Sequence, residues 1–438
     1  MKKNVYSTNI LKVIIVLLLV NYMIFTIILN DNVIFKYLRD ILLIILFLLT
    51  CNSKMRLGKK YDKYLIAIAF LFGSLAIAFV KTGSLSVGIV ALRRYLFPLG
   101  LAYIMTNFKF IRDVLKFEKF LMYVFTVFSV WGIFQAFILK DDFLKKIGYP
   151  TVFLPAYGRQ MLGNSFYFGN LGIQRFVSSL SNSNAAAAVL GMTLILLIFT
   201  YPYMKKTKGI NICIFLIFIA YVATVSRANY LAMLIVVIML LYKYIPHKDW
   251  IFIACCIGVI AILVLGVVQG ESGIVSKLIG WVSNTIHGKE TSSAGRPLIW
   301  AEGFRAVCNN WTGIGFGHVG TLATTHGGSG SYYACENSYL AMCLDMGIIG
   351  MISYLVIWLL GYKNARSLSK NKQLDQLSVR LVKARRAITI YFLIILFFSN
   401  HIYDMEVVCI FYVYIGLSSQ RISGIKENAD RERIICNR

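Results

Sequence analysis

Apolar runs long enough to span a bilayer recur along nearly the whole chain, and they leave few folds open. A hydrocarbon core about 30 Å thick needs ~20 consecutive apolar residues in an α-helix. Such runs fall at 11–29, 33–51, 64–80, 85–105, 118–139, 185–203, 210–226, 228–245, 250–268 and 339–361, and two shorter ones follow at 388–400 and 403–418. Lipid offers backbone N–H and C=O groups no partner, so the expected fold is an all-α polytopic integral membrane protein. A 58% hydrophobic composition is too apolar for a set of soluble domains.

The charge distribution orients the spans. Lys and Arg number 45 against 19 Asp and Glu, a formal +26 that in a soluble chain would point to nucleic acid. Here most of the basic residues gather in alternate connections: Lys54 to Lys63, Lys109 to Lys119, Lys205 to Lys208 and Lys363 to Arg386. That is the signature of cytoplasmic loops, and no nucleic-acid partner is implied. Were 388–418 one long helix, the tail carrying Arg421, Lys426, Arg431, Arg433 and Arg438 would face outward. The positive-inside rule favours a hairpin there, giving about twelve spans with both termini cytoplasmic. Met1-Lys2-Lys3 and the following apolar run resemble a signal peptide, but the core is too long and no small-x-small site follows, so an uncleaved first span is expected.

The expected organisation is one transmembrane domain over 1–438 with two long outer loops, 140–184 and 269–338, and a basic cytoplasmic tail at 420–438. No internal repeat or matched pair of broken helices of the kind seen in secondary transporters is evident. A pure transporter needs little outside its helices, so the second loop is where polar chemistry is expected. It carries Gly295-Arg296-Pro297, Gly313-Ile314-Gly315-Phe316-Gly317-His318 and Glu336-Asn337-Ser338. Residues 273–287 show helical apolar spacing; a helix lying on the membrane surface and a packed core helix both fit. Pro297 suits the first turn of a second short helix over 297–309, with Arg296 at its start.

Several arginines escape the cytoplasmic side. Arg93 and Arg94 lie within a span, Arg227 sits between two spans, and Arg159, Arg175, Arg296 and Arg305 occupy outer loops. An arginine at membrane depth costs at least ~2.5 kcal/mol, so it faces a partner or an aqueous cavity. Guanidinium groups converging on one point would suit a pyrophosphate; a buried ion pair or snorkelling to headgroups is the structural alternative. Arg93 and Arg94 are adjacent and point to different helix faces, so one of them at most is expected in a shared cavity.

Glu336 is the outer carboxylate nearest the tenth span, placed either as a general base or as a charge at the helix start. His318 and His326 are alternative bases or substrate contacts, and Asn337 follows Glu336 as a binding or capping residue. The two histidines lack a third spaced ligand for a metal, and no cofactor is implied. Gly315 to Gly320 match G-x-G-x-x-G without the strand and helix that would make it a dinucleotide site, leaving a glycine-rich turn. Cys308 and Cys335 share the large loop, where a disulfide can form; the other cysteines read as small core residues. Ala185 to Ala188 give the sixth span a small-residue face, suited to helix packing or to a polyprenyl tail.

The order of these elements resembles a known family. Arg175-Phe176-Val177-Ser178-Ser179-Leu180-Ser181-Asn182-Ser183-Asn184-Ala185 enters a span, Ser226-Arg227 marks a helix junction, and Arg296 precedes Trp300. Gly313 to Gly317 and Glu336-Asn337-Ser338-Tyr339-Leu340, leading to Gly347-Ile348-Ile349-Gly350, complete the series. Over roughly 85–418 this resembles the bacterial O-antigen ligase and Wzy-type polysaccharide polymerase superfamily. The resemblance implies an inverting, metal-independent glycosyltransferase of the bacterial cytoplasmic membrane, acting at its outer face. Its partners would be an undecaprenyl-pyrophosphate-linked oligosaccharide, membrane lipid and a chain-length regulator protein. Arg227 and Arg296, with Arg94, Arg159 and Arg175 as further binding candidates, would hold the pyrophosphate, and Glu336 would be the base. The position matching Glu336 is commonly histidine in the ligases, and glutamate here favours the polymerisation of O-antigen or capsule repeat units. An O-antigen-type ligase and a lipid-linked oligosaccharide flippase stand as the alternatives.

Overall fold

The computed structural model describes residues 2–28, 33–51, 62–149, 151–154, 159–162, 167–168, 173–204, 207–241, 296–320, 335–369 and 374–436. The described chain is helical: α1 (Lys2–Val20), α2 (Val33–Cys51), α3 (Asp62–Lys81), α4 (Leu85–Asn107), α5 (Val114–Phe134), α6 (Lys140–Lys146) and α7 (Ser183–Thr200). Then follow α8 (Lys208–Ala223), α9 (Arg227–Leu241), α10 (Arg296–Asn309), α11 (Ser338–Leu368), α12 (Gln376–Phe398) and α13 (Met405–Cys436). Each expected apolar run coincides with a helix except 250–268, which lies outside the described residues. Among the described residues, six helical segments are long and apolar enough to cross a membrane: Asn4–Ile24, Tyr64–Lys81, Leu85–Asn107, Val114–Leu139, Ser183–Tyr203 and Ser338–Leu368.

Polar residues set the helix starts, each satisfying backbone N–H groups that the first turn leaves over. Asp113 accepts from Lys116 N (3.1 Å) at α5, Asn182 from Ala185 N (2.7 Å) at α7, and Asn337 from Tyr339 N and Leu340 N (3.0 and 3.1 Å) at α11. The last two apolar runs form separate helices turned at 399–404, as the basic tail requires, and α13 carries that tail on as helix to Cys436.

Hydrogen bonds between connections sort the helix ends into two groups. At one end, Thr8 Oγ1 donates to Phe110 O (3.0 Å), Gln420 Oε1 accepts from Phe110 N and Ile111 N (both 3.1 Å), and Arg421 pairs with Asp375 (3.0 Å). At the other, Ser179 Oγ donates to Leu19 O (2.6 Å), Ser178 Oγ to Phe128 O (2.7 Å), Lys81 Nζ to Thr312 Oγ1 (2.7 Å) and Ser338 Oγ to Ser399 O (2.7 Å). The second group is called the loop end below. Successive helices therefore alternate in direction, with the start of α1 and the middle of α13 at the same end.

The core is centred on α7, whose candidate span is the most enclosed of the six. Ala185 to Ala188 are fully buried, so this small-residue face serves helix contact. Tyr391 of α12 rests on Gly191 and donates to Ala187 O (3.3 Å), a close approach that a larger side chain would prevent. Against hydrocarbon, fit and hydrogen bonds of this kind hold helices together, since lipid tails are as apolar as leucine.

Loop 140–184 opens with the short helix α6 and adds strands that the sequence did not announce. After α6 it forms two antiparallel hairpins, β1 (Thr151–Leu154) with β2 (Arg159–Leu162), and β3 (Tyr167–Phe168) with β4 (Ile173–Gln174). Thr151 faces Leu162 and Leu154 faces Arg159. The Thr-Val-Phe-Leu stretch is β-branched and aromatic, which suits a strand. Its four-residue length is too short for periodicity to announce it. Cys308 and Cys335 are both free, Cys308 exposed and Cys335 buried, so no bridge joins them. Burial pushes the Cys335 thiol up to about 11, which keeps it protonated and inert.

Candidate functional site

Three chain segments meet at the loop end around Arg175. Its guanidinium donates from Nε to Thr224 O (2.9 Å) and from Nη2 to Val225 O (3.2 Å) and Asn184 Oδ1 (3.0 Å). Thr224 and Val225 close α8, and Val225 has φ of 49°, so the backbone turns sharply there before α9 begins at Arg227. Beneath the arginine a polar chain runs into the bundle. Ser226 Oγ donates to Asn184 Oδ1 (2.8 Å), Asn229 Nδ2 to Ser226 Oγ (2.9 Å), and Tyr391 Oη to Asn229 Oδ1 (2.6 Å). Arg175 is thereby fixed in place.

Arg227 and Glu336 both lie within electrostatic reach of Arg175. Burial brings the Arg175 guanidinium down to about 10; Tyr230 and Glu336 oppose the fall and Arg227 adds to it. It remains a cation at neutral pH. Arg175, Arg227 and Glu336 come from the 173–182 segment, the start of α9 and the start of α11. The fold gathers them although more than a hundred residues separate the last two.

Glu336 is exposed, and the cap of α11 is its neighbour Asn337, whose Oδ1 takes both backbone bonds. The carboxylate of Glu336 is therefore not engaged in closing the helix. Ser338 bonds across to the 399–404 turn through Ser399 O and through Ile402 N (3.3 Å). That turn brings His401 and Asp404 to the start of α11, with His401 Nδ1 2.8 Å from Asp404 Oδ2. Sequence reasoning passed over this pair. Its signal is Ser399-Asn400-His401 and Asp404, a polar break between two apolar runs too short to span alone.

A second polar cluster lies next to the first, within the helices. Asp345 of α11 is fully buried and its Oδ2 accepts from Tyr95 (2.8 Å) and Tyr403 (2.6 Å). Arg94 lies within electrostatic reach of Tyr403, Asp404, Glu406 and Asp345. Arg93 turns the other way, to Asp40 of α2 (2.7 Å) and over the Tyr37 ring (5.0 Å). The adjacent arginines thus serve different faces, and Arg94 keeps company with carboxylates.

The glycine-rich stretch after α10 is built into a break in α11. Gly347 has φ 79° and ψ 172°, which interrupts the helix and releases backbone groups. Residues 311–315 satisfy them: Ile314 N donates to Leu344 O (2.7 Å), Gly315 N to Asp345 O (3.3 Å), and Ile348 N to Trp311 O (2.9 Å). Gly313, Gly315 and Gly317 all have positive φ, so the turn expected from the sequence is a fitted insert. His318 lies half-buried at its far end.

Arg296 begins α10, which packs on α11 where Gly303 meets Leu340 and on α12 with Trp300 edge-on to Phe397 (5.4 Å), and Arg159 lies on β2. His326 and the helix expected over 273–287 fall outside the described residues.

Residues 212–355 match a family model described as O-Antigen ligase. The matched segment runs from early α8 through Arg227, Arg296 and Glu336 into α11; Arg94, Arg159, Arg175 and the 399–404 turn lie outside it. Members of that family are O-antigen ligases and polymerases, which are glycan-transferring enzymes acting on lipid-linked glycans. The match and the apolar helices are together consistent with membrane polysaccharide synthesis. No curated protein matches the chain.

Proposed function

We propose that this chain polymerises undecaprenyl-pyrophosphate-linked oligosaccharide repeat units at the outer face of a bacterial cytoplasmic membrane. Arg227 and Arg296, with Arg175 within electrostatic reach of Arg227, hold the donor pyrophosphate, and Glu336 takes the proton from an acceptor hydroxyl. The observation that carries this reading is the convergence of Arg175, Arg227 and Glu336 from three separate segments at the loop end.

The chemistry asks for little more. The acceptor oxygen attacks the anomeric carbon of the donor sugar while the bond to the pyrophosphate oxygen breaks, inverting the configuration. The leaving pyrophosphate carries the electron pair, and guanidinium groups stabilise its growing charge. Pyrophosphate leaves readily, so a second carboxylic acid of the kind a glycosidase needs is dispensable. A carboxylate near cations accepts the hydroxyl proton as the new bond forms.

The test is surface-polysaccharide length in a deletion strain complemented at equal expression with wild type, Arg227→Ala, Arg296→Ala or Glu336→Ala. Loss of polymer with accumulation of single repeats in the variants is expected. Full-length polymer left on its lipid carrier would replace the polymerase by a ligase, and wild-type polymer in all variants would remove these residues from the site.

A further inference from the structure

The 399–404 turn holds two polar atoms that the site as described does not use. His401 is only 1% exposed, and its Nε2 is buried with no hydrogen-bond partner among the described residues. The neighbouring Asn400 Oδ1 is buried and likewise without a partner among them. Leaving such an atom unsatisfied costs about 1–3 kcal/mol each, so two in consecutive residues call for a ligand.

The chemistry of the pair selects that ligand. Asp404 Oδ2, 2.8 Å from His401 Nδ1, holds the ring proton on Nδ1. Nε2 is then a lone-pair acceptor, as is an amide oxygen. Two acceptors backed by a carboxylate repel a phosphate and suit adjacent hydroxyl groups. The guanidinium groups of Arg175 and Arg227 have the opposite polarity, donors only. Through Ser338, bonded to both Ser399 O and Ile402 N, the turn is tied to the helix start that carries Glu336.

We infer that the 399–404 turn is the acceptor-saccharide subsite, in which His401 Nε2 and Asn400 Oδ1 receive two hydroxyl hydrogens of the incoming sugar. This rests on the proposed transfer reaction and adds to it: the donor's pyrophosphate goes to the arginines, and the acceptor's hydroxyls go to the turn. Asp404 is a positioning residue that acts by fixing the imidazole tautomer. His401 and Asp404 lie outside the segment that matches the O-Antigen ligase model, so the match does not itself assign them a role.

The experiment uses full-length protein in lipid nanodiscs and two probes from the deletion strain. One is the extracted lipid-linked repeat unit; the other is the same oligosaccharide freed of its pyrophosphate, which takes away the anion that the arginines are proposed to hold. The chain has five histidines, so imidazole nitrogen resonances are few enough to assign. Adding the free oligosaccharide should shift the His401 Nε2 resonance in wild type. In Asp404→Asn the tautomer signature and the shift should both be lost. In turnover of the lipid-linked unit, His401→Ala should raise KM about ten-fold, the loss of about one hydrogen bond, with a smaller change in kcat and partial recovery in His401→Gln. An unmoved resonance in wild type overturns the inference without needing any variant to fold. A wild-type KM in folded His401→Ala overturns it as well. A wild-type protein that forms no polymer overturns the polymerase reading instead, and the resonance shift then reports sugar binding by itself.

Discussion

Gly313 and Gly347 pass so closely that a Cβ on Gly313 would stand 2.6 Å from the Gly347 nitrogen, and one on Gly347 2.6 Å from the Thr312 carbonyl carbon. Both obstacles are backbone, which cannot swing aside. The pair is where the loop after α10 locks into the break in α11, so the position of Asp345 and the helix start above it depend on two missing methyl groups.

Gly313→Ala and Gly347→Ala should therefore each destabilise the protein by at least ~2 kcal/mol, from positive φ and backbone contact together. Thermal unfolding of purified protein in detergent checks this. A melting temperature equal to wild type in either variant would mean that the loop is not seated in the break.

Asn337 was a candidate for substrate binding or for capping, and its side-chain oxygen closes α11. Asn337→Asp keeps that oxygen and should leave both stability and polymer length near wild type. Asn337→Ala should cost about 1 kcal/mol. Loss of polymer in Asn337→Asp at normal stability would return the residue to the binding site.

Arg175 donates to Thr224 O and Val225 O at the α8–α9 junction and to Asn184 Oδ1 of α7, which joins the 173–182 segment to both. Arg175→Lys keeps the charge but cannot reproduce the fork, so it should lower the melting temperature and reduce polymer yield together. A variant with a normal melting temperature and no polymer would show that Arg175 acts on substrate alone.

Asp345 accepts from two buried tyrosines through one oxygen. Asp345→Leu leaves the hydroxyls of Tyr95 and Tyr403 without that acceptor, at about 1–3 kcal/mol each. Asp345→Asn retains an acceptor and should be the milder change. Equal unfolding temperatures for the two variants would contradict this account.

Much of the scaffold was legible because lipid enforces it. Run length gives the helices, and the basic connections give their alternation, including the turn between α12 and α13 that hydropathy by itself would have missed. The hairpins of loop 140–184 were not legible, since strands of two to four residues carry no usable period. At the site, Arg227 and Arg175 stood out as arginines away from the cytoplasmic connections and Glu336 as the outer carboxylate nearest the tenth span, and both Arg227 and Glu336 lie within electrostatic reach of Arg175. Arg94 stood out for the same reason yet lies within electrostatic reach of carboxylates, because sequence distance does not reveal that the 399–404 turn and α13 bring Asp404 and Glu406 towards α4. His401 was hidden for a related reason: its meaning lies in an atom without a partner, and partners are a property of the folded chain.

The cap of α11 at Asn337 has an evolutionary consequence. Since the helix is closed by that residue, the side chain at 336 does not serve as its cap, and an exchange there leaves both capping bonds in place. Glutamate here and histidine in the ligases that the chain resembles are then alternative fittings beside one cap. On the proposed function, a change of one codon at 336 alters the proton acceptor without rewriting the helix start.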